Sequence, residues 1–242
     1  MGGILETADR AAIDSLIGWW AESGVDTAVG ETPRGWLRGD APVAPVATAS
    51  AETATTAVPA ATERPKQFDA FREWLAAAPG LPMDRPGAIR VAPVGIVAAP
   101  LMILTDLPDR EDAAAGQPIG GDAWALTERM LAAIGIAPDS AYFASLACFH
   151  APGARIGRDE LDQCAEIARD HIRLARPERL LLFGDAPARA LTGEPLARAR
   201  GRVHRIEGVR TVVTFHPRWL LQRPSDKALA WRDLLLLMSD QD

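Results

Sequence analysis

Thiols, lysines and long apolar runs are all scarce in this chain, and each scarcity removes a class of protein. Only Cys148 and Cys164 occur among 242 residues. Two thiols cannot make a disulfide framework, and one chain cannot draw four thiolates for a metal centre from them. A reducing compartment is the expectation. No run of about 18 apolar residues is present, as a membrane-crossing helix would need. The N-terminus lacks a basic segment followed by an apolar stretch and a small-residue cleavage site, so a cytoplasmic protein without membrane contact is expected. Lysine is represented by Lys66 and Lys227 alone, so arginine carries nearly all the positive charge.

The formal net charge of -6 argues against indiscriminate binding to a polyanion. Its distribution matters more than its sum. Between residues 151 and 223 there are 14 arginines against nine acidic residues, while the rest of the chain holds the acidic excess. That half can present a surface to phosphate, or arginine can simply be the base this chain prefers for its solvated faces.

Apolar spacing divides the chain into three parts. Residues 1–37 hold an amphipathic helix in which Ile4, Leu5, Ala8, Leu16, Trp19 and Trp20 recur at helical spacing, followed by an extension. Residues 38–66 are Ala, Pro and Thr without apolar period, a composition that does not repay the entropy of ordering, and are expected to be a flexible linker. A helix on such a tether is suited to reaching a repair-protein partner. Residues 67–242 form the folded domain. It opens with a helix over 67–77 and then alternates short apolar runs with helical patterns, as in an α/β domain of three α/β/α layers around a mostly parallel four-stranded sheet. Strands are expected at 101–105, 141–148, 179–183 and 211–215. Helices are expected at 124–134, at 159–174, shortly after Gly184, and after Ser225, which is suited to N-cap the last one.

Several motifs recur in a telling order. Asp106-Leu107-Pro108-Asp109 follows the first strand, and Gly116-Gln117-Pro118-Ile119-Gly120-Gly121 comes next. Ala151-Pro152-Gly153-Ala154-Arg155, Leu182-Phe183-Gly184 and Arg200-Gly201 lie downstream. His216-Pro217-Arg218-Trp219-Leu220-Leu221 then follows a β-branched strand and precedes Lys227 and Trp231-Arg232-Asp233-Leu234. This order resembles the family 4 uracil-DNA glycosylases over residues 99 to 238. The first 37 residues, with Trp19-Trp20, are loosely similar to those of extended bacterial members. The resemblance implies hydrolysis of the bond between a flipped base and its sugar, as in base-excision repair, acting on single-stranded or damaged duplex DNA.

The resemblance also assigns roles. Asp106 falls where the family has a glutamate that handles water, although an aspartate at a strand end can equally cap the next turn. Ile119 takes the place of a phenylalanine that stacks on the base, and lacks the π face whose stacking contributes about 1 to 3 kcal/mol per base. Ser145 stands where an asparagine reads uracil, and a single hydroxyl cannot make that two-point contact. His216 matches the histidine that stabilises the departing base, with a buried structural imidazole as the alternative. Arg155 and Arg218 are candidates for phosphate contact. Leu220 and Leu221 are candidates for wedging into a kinked duplex, or for anchoring the last helix. The family's iron–sulfur cluster needs four cysteines. None precedes Cys148, so no cofactor and no metal are expected. Two functions follow: a glycosylase of weak or altered base specificity, or a catalytically silent paralogue that binds DNA or a repair partner.

Overall fold

In the computed structural model, which describes residues 64–239, the apolar five-residue runs form the middle of a sheet. The elements, in chain order, are α1 (Phe68–Ala77), β1 (Ile89–Arg90), β2 (Val94–Gly95), β3 (Leu101–Thr105), α2 (Arg110–Ala115) and α3 (Gly121–Ala133). They continue with β4 (Ala141–Ser145), β5 (Phe149–His150), α4 (Arg158–Ala175), β6 (Arg179–Phe183), α5 (Asp185–Thr192) and α6 (Leu196–Ala199). The last are β7 (Val203–Ile206), β8 (Val209–Thr214), α7 (Pro217–Gln222) and α8 (Lys227–Met238). The amphipathic helix expected within residues 1–37, and all but the last three residues of the linker expected over 38–66, lie outside the described residues.

Every residue of β3 and β4 is buried, as befits parallel strands covered on both faces. The sheet order is β2-β4-β3-β6-β8-β7. The four strands β4, β3, β6 and β8 run parallel. They are the strands legible in the sequence, and the fold is the expected three-layer one. The sheet nevertheless has six strands rather than four, because β2 and β7 add antiparallel edges. Both escaped notice for physical reasons. Strand β2 is two residues long, and β7 (Val-His-Arg-Ile) is mostly half-exposed, so neither shows the buried apolar run that marked the centre. A tight turn through Glu207 and Gly208, both at positive φ, joins β7 to β8.

Side chains alternate across the sheet and feed two cores. Met102, Leu104, Tyr142, Leu180 and Leu182 pack with residues of α1, α4 and α5. Leu101, Ile103, Phe143, Leu181, Phe183 and Val212 pack with Ile119, with Ala123 and Leu131 of α3, and with Leu234 and Leu237 of α8. Helix α4 shows how sequence dictates this: Cys164, Ala168, His171, Ile172 and Ala175 recur at helical spacing, and all are buried.

Three local expectations are corrected. The second strand stops at Ser145 rather than at 148. Leu146 still donates its amide to the Thr105 carbonyl (3.0 Å) before the chain turns away into β5. Helix α3 begins at Gly121, one turn earlier than its apolar period suggested. Ser225 does not cap α8, because Pro224–Asp226 winds as a 3-10 turn that leads directly into the helix.

Candidate active site

In an open α/β sheet, ligands bind beyond the carboxyl ends of the strands where the connections diverge to either side. Here the chain leaves β3 for β4 on one side and later crosses to β6 on the other, which puts that point between β3 and β6. Asp106 follows β3 directly, and Gly184 follows β6. The Asp106 carboxylate accepts the Leu107 amide (2.8 Å) and bonds the backbone of Ala186 at the start of α5. Gly184 sits at φ 103, and a Cβ placed there would lie 2.7 Å from Asp106 Oδ2. Glycine is thus required at that position by backbone conformation and by the carboxylate beside it. Burial pushes the Asp106 carboxyl above the usual aspartate range, against the backbone bonds and the Arg218 charge that pull it down.

One strand further on, β8 delivers Phe215 and then His216, which begins α7. The imidazole is buried, and its ring centroid lies 6.1 Å from that of Phe183. Burial, aided by the Arg218 charge, lowers its pKa to about 3, so the ring is neutral at ordinary pH. His216 Nδ1 accepts the Arg218 amide (3.1 Å) and faces Arg218 Nε (3.3 Å), while one guanidinium NH2 group lies 3.2 Å from Nε2. Two donors address Nδ1 and one addresses Nε2. With the backbone amide fixing Nδ1 as an acceptor, the single proton of the neutral ring belongs on Nε2, where it faces the guanidinium and can be donated only once that group moves aside.

Arg218 does more than flank the histidine. Its NH1 pairs with Asp109 and with Asp112 (3.0 Å), and its NH2 donates to the Leu107 carbonyl (3.2 Å). Asp109 and Asp112 form the capping box of α2, and Asp112 also accepts the Gly120 amide (2.6 Å). Burial pushes the Asp112 carboxyl up. Asp109 is partly buried too, but the Asp112 amide and Arg218 hold its carboxyl below the usual range. The guanidinium thus clamps the loop after β3 and the start of α2 to the first turn of α7. The Asp-x-x-Asp spacing was readable as a helix start, but its pairing with an arginine 106 residues away was not.

The remaining candidates fall in unequal places. Ser145 is buried at the end of β4, and its hydroxyl has no hydrogen-bond partner. Ile119 is 1% exposed and belongs to the core against the sheet, so it does not present a free face for stacking on a base. Arg155 is exposed in the loop before α4. The two leucines part company: Leu221 is 41% exposed, whereas Leu220 is 1% exposed. Leu220 lines an apolar groove with Leu126, Met130, Ala230 and Leu234, so as placed it anchors α7 and cannot wedge into a duplex. His171 is a packing residue, buried and bonded to the Tyr142 hydroxyl at 2.7 Å. His150 approaches the site loop through the Pro108 carbonyl (3.0 Å), a contact its sequence context did not signal. Cys148 and Cys164 are buried thiols pushed up to about 12 by desolvation. They do not fit a four-thiolate cluster. Among the described residues, no group of three histidine, cysteine or acidic side chains is placed to hold a metal.

The fold is a doubly wound α/β sheet that brings a carboxylate, a neutral imidazole and a buried hydroxyl to the carboxyl ends of its parallel strands, the end at which such sheets place their ligand sites. Residues 93–235 match the Uracil DNA glycosylase superfamily, and the chain belongs to that superfamily. It is similar in particular to the type-4 uracil-DNA glycosylase of Pyrobaculum aerophilum, at 25% identity over 147 residues, covering 56% of this chain and 75% of the relative. The type-4 uracil-DNA glycosylase of Archaeoglobus fulgidus is 24% identical over 142 residues, covering 54% and 71%.

Proposed function

We propose that this chain is a DNA glycosylase of base-excision repair that hydrolyses the N-glycosidic bond of a flipped, deaminated base with weak or altered specificity. The observation that carries this reading is the placement of His216: a buried imidazole just beyond β8 whose Nδ1 accepts the Arg218 amide, which leaves Nε2 to carry the proton of a neutral ring. As the bond from C1′ to the base breaks, its electron pair moves onto the base, and a donor fixed in a desolvated site stabilises the resulting anion. Water then bonds to C1′ and gives up a proton, which the Asp106 carboxylate accepts. Its raised pKa makes it a stronger base than a free aspartate. Trp219 and Leu221, exposed on α7, and Arg155 provide the surface that meets the strand.

Single-turnover excision on oligonucleotides bearing uracil, hypoxanthine, xanthine or a mismatched thymine tests the reading. Wild-type protein should release at least one of these bases. His216→Ala should slow that release by about 100-fold or more, the size of effect seen when one anion-stabilising donor is removed. No product above the variant's background on any substrate overturns it.

The Arg218 clamp favours a second reading, a silent paralogue that binds DNA or a repair partner. A guanidinium lying 3.2 Å from Nε2 and held by two aspartates stands where a leaving base would approach. Arg218→Ala separates the cases. Excision that appears only in this variant places the silence in the clamp, whereas no excision together with retained binding to single-stranded DNA supports the binding protein.

A further inference from the structure

Two hydroxyls near this site lie where packing alone would call for apolar groups. Thr105 ends β3 and Ser145 ends β4, and the two are paired in parallel register. Thr105 is 1% exposed and Ser145 7%, and neither hydroxyl has a hydrogen-bond partner. Leaving a buried hydroxyl unbonded is unfavourable, and two such groups on adjacent strands call for a common explanation. Strand alternation gives their direction. Leu101 and Ile103 of β3, and Ala141 and Phe143 of β4, belong to the core under α3 and α8, so Thr105 and Ser145 face that same side. Phe183 and Ile119 are in that core, and His216 follows the strand beyond β6, its ring against Phe183. Two interstrand spacings, about 10 Å, separate the Thr105 strand from the His216 strand.

We propose that Thr105 and Ser145 together form a two-hydroxyl reader for the lactam edge of the flipped base, the adjacent carbonyl and ring N–H shared by uracil, hypoxanthine and xanthine. This rests on the glycosylase reading and names its substrate class. One hydroxyl donates to the carbonyl and the other accepts from the N–H, which makes the two-point contact that Ser145 alone cannot make. Each hydroxyl turns freely about its C–O bond, so the pair fits more than one placement of the lactam. A fixed amide side chain fits one. The pair therefore accepts several deaminated bases. As the pair is sealed from solvent, a base reaches it only when the residues that cover it give way.

The test reads binding separately from cleavage. Single-stranded oligonucleotides carrying a carbon-linked deoxyuridine analogue, which cannot be excised, are compared with ones carrying a tetrahydrofuran abasic analogue. Excision of uracil and hypoxanthine is measured in parallel. Wild-type protein should prefer the base-bearing strand. Thr105→Val keeps the shape and removes the hydroxyl, and should cut that preference by up to about tenfold, the weight of one hydrogen bond. Ser145→Ala should do the same, with the thermal midpoint of each variant showing that the fold is kept. An unchanged preference in Thr105→Val overturns the reader, and a fall in stability alone marks the hydroxyls as partners of a buried water. A wild type without any preference also overturns it. Preference without excision keeps the reader and removes the glycosylase, whereas excision with unchanged preference in Thr105→Val keeps the glycosylase and removes the reader.

Discussion

The neutral imidazoles set the behaviour of single residues with pH. His171 and His216 both have pKa values lowered from 6.5 to about 3, first of all by burial. An unfolded chain takes up their protons below about 6.5, while the folded chain refuses them until about 3, so the stability they confer at neutral pH is lost across that window on acidification. Buried carboxyls with raised pKa, such as Asp112 and Asp233, act in the opposite sense. A difference measurement cancels them. The stability advantage of wild type over His171→Gln in urea should therefore shrink between pH 7 and pH 5. Catalysis is expected to show no histidine inflection near neutrality. It should instead decline on acidification as Asp106 is protonated, beginning at a higher pH than an ordinary aspartate would give. Gly184 makes a third residue-scale case. Gly184→Ala meets both a disfavoured φ and the Asp106 carboxylate, and should destabilise by about 1–3 kcal/mol in urea denaturation.

Among the elements, α7 carries the sharpest contrast, because neighbouring leucines on one short helix face opposite environments. Leu220→Ala removes a buried side chain from the groove between α3 and α8 and should destabilise by about 2–5 kcal/mol. Leu221→Ala should change stability by less than about 0.5 kcal/mol, as for other surface positions, while weakening binding to an oligonucleotide. Equal loss of stability in both variants would remove Leu221 from the DNA-facing surface. The strand before α7 is held from behind: Asp233 of α8, 1% exposed, accepts from Thr214 (2.7 Å) and from Arg200 (2.7 Å). Arg200 in turn lies over the Phe215 ring at 4.4 Å. This network fixes the end of β8, and with it the point from which His216 projects.

For the whole molecule, the arginine surplus between residues 151 and 223 is partly consumed inside the protein. Arg169, Arg173, Arg189, Arg200, Arg202 and Arg218 all stand in ion pairs. These six are not offered to phosphate as they stand, and a net charge of -6 opposes the approach of a polyanion. Binding to single-stranded DNA should therefore depend on salt more shallowly than a log–log slope of about -4, the value for about six neutralised phosphates. A steeper slope would show that these pairs open on contact with the strand. No helix among the described residues is long and apolar enough to cross a membrane.

The sequence by itself determined the layers. Strands such as Leu101–Thr105 and Arg179–Phe183 announce themselves because a central parallel strand must be apolar on both faces, and α4 because one face of a covering helix must be. It also placed Asp106 and His216 just beyond strand ends, where the apolar runs stop, whereas the run through Ser145 continues to Cys148 and only the structure ends that strand at Ser145. The edge strands β2 and β7 stayed hidden because a half-covered strand carries no such run. Only the tertiary structure decided which candidate side chains are accessible. Ile119 and Leu220 are buried because α3, α8 and the sheet converge on them from distant parts of the chain. It alone decided the charge state of His216, which depends on desolvation by its surroundings and on an adjacent guanidinium whose orientation is set by Asp109 and Asp112. The pairing of Thr105 with Ser145 is of the same kind. Two hydroxyls 40 residues apart in sequence become one polar surface only through the register of adjacent parallel strands.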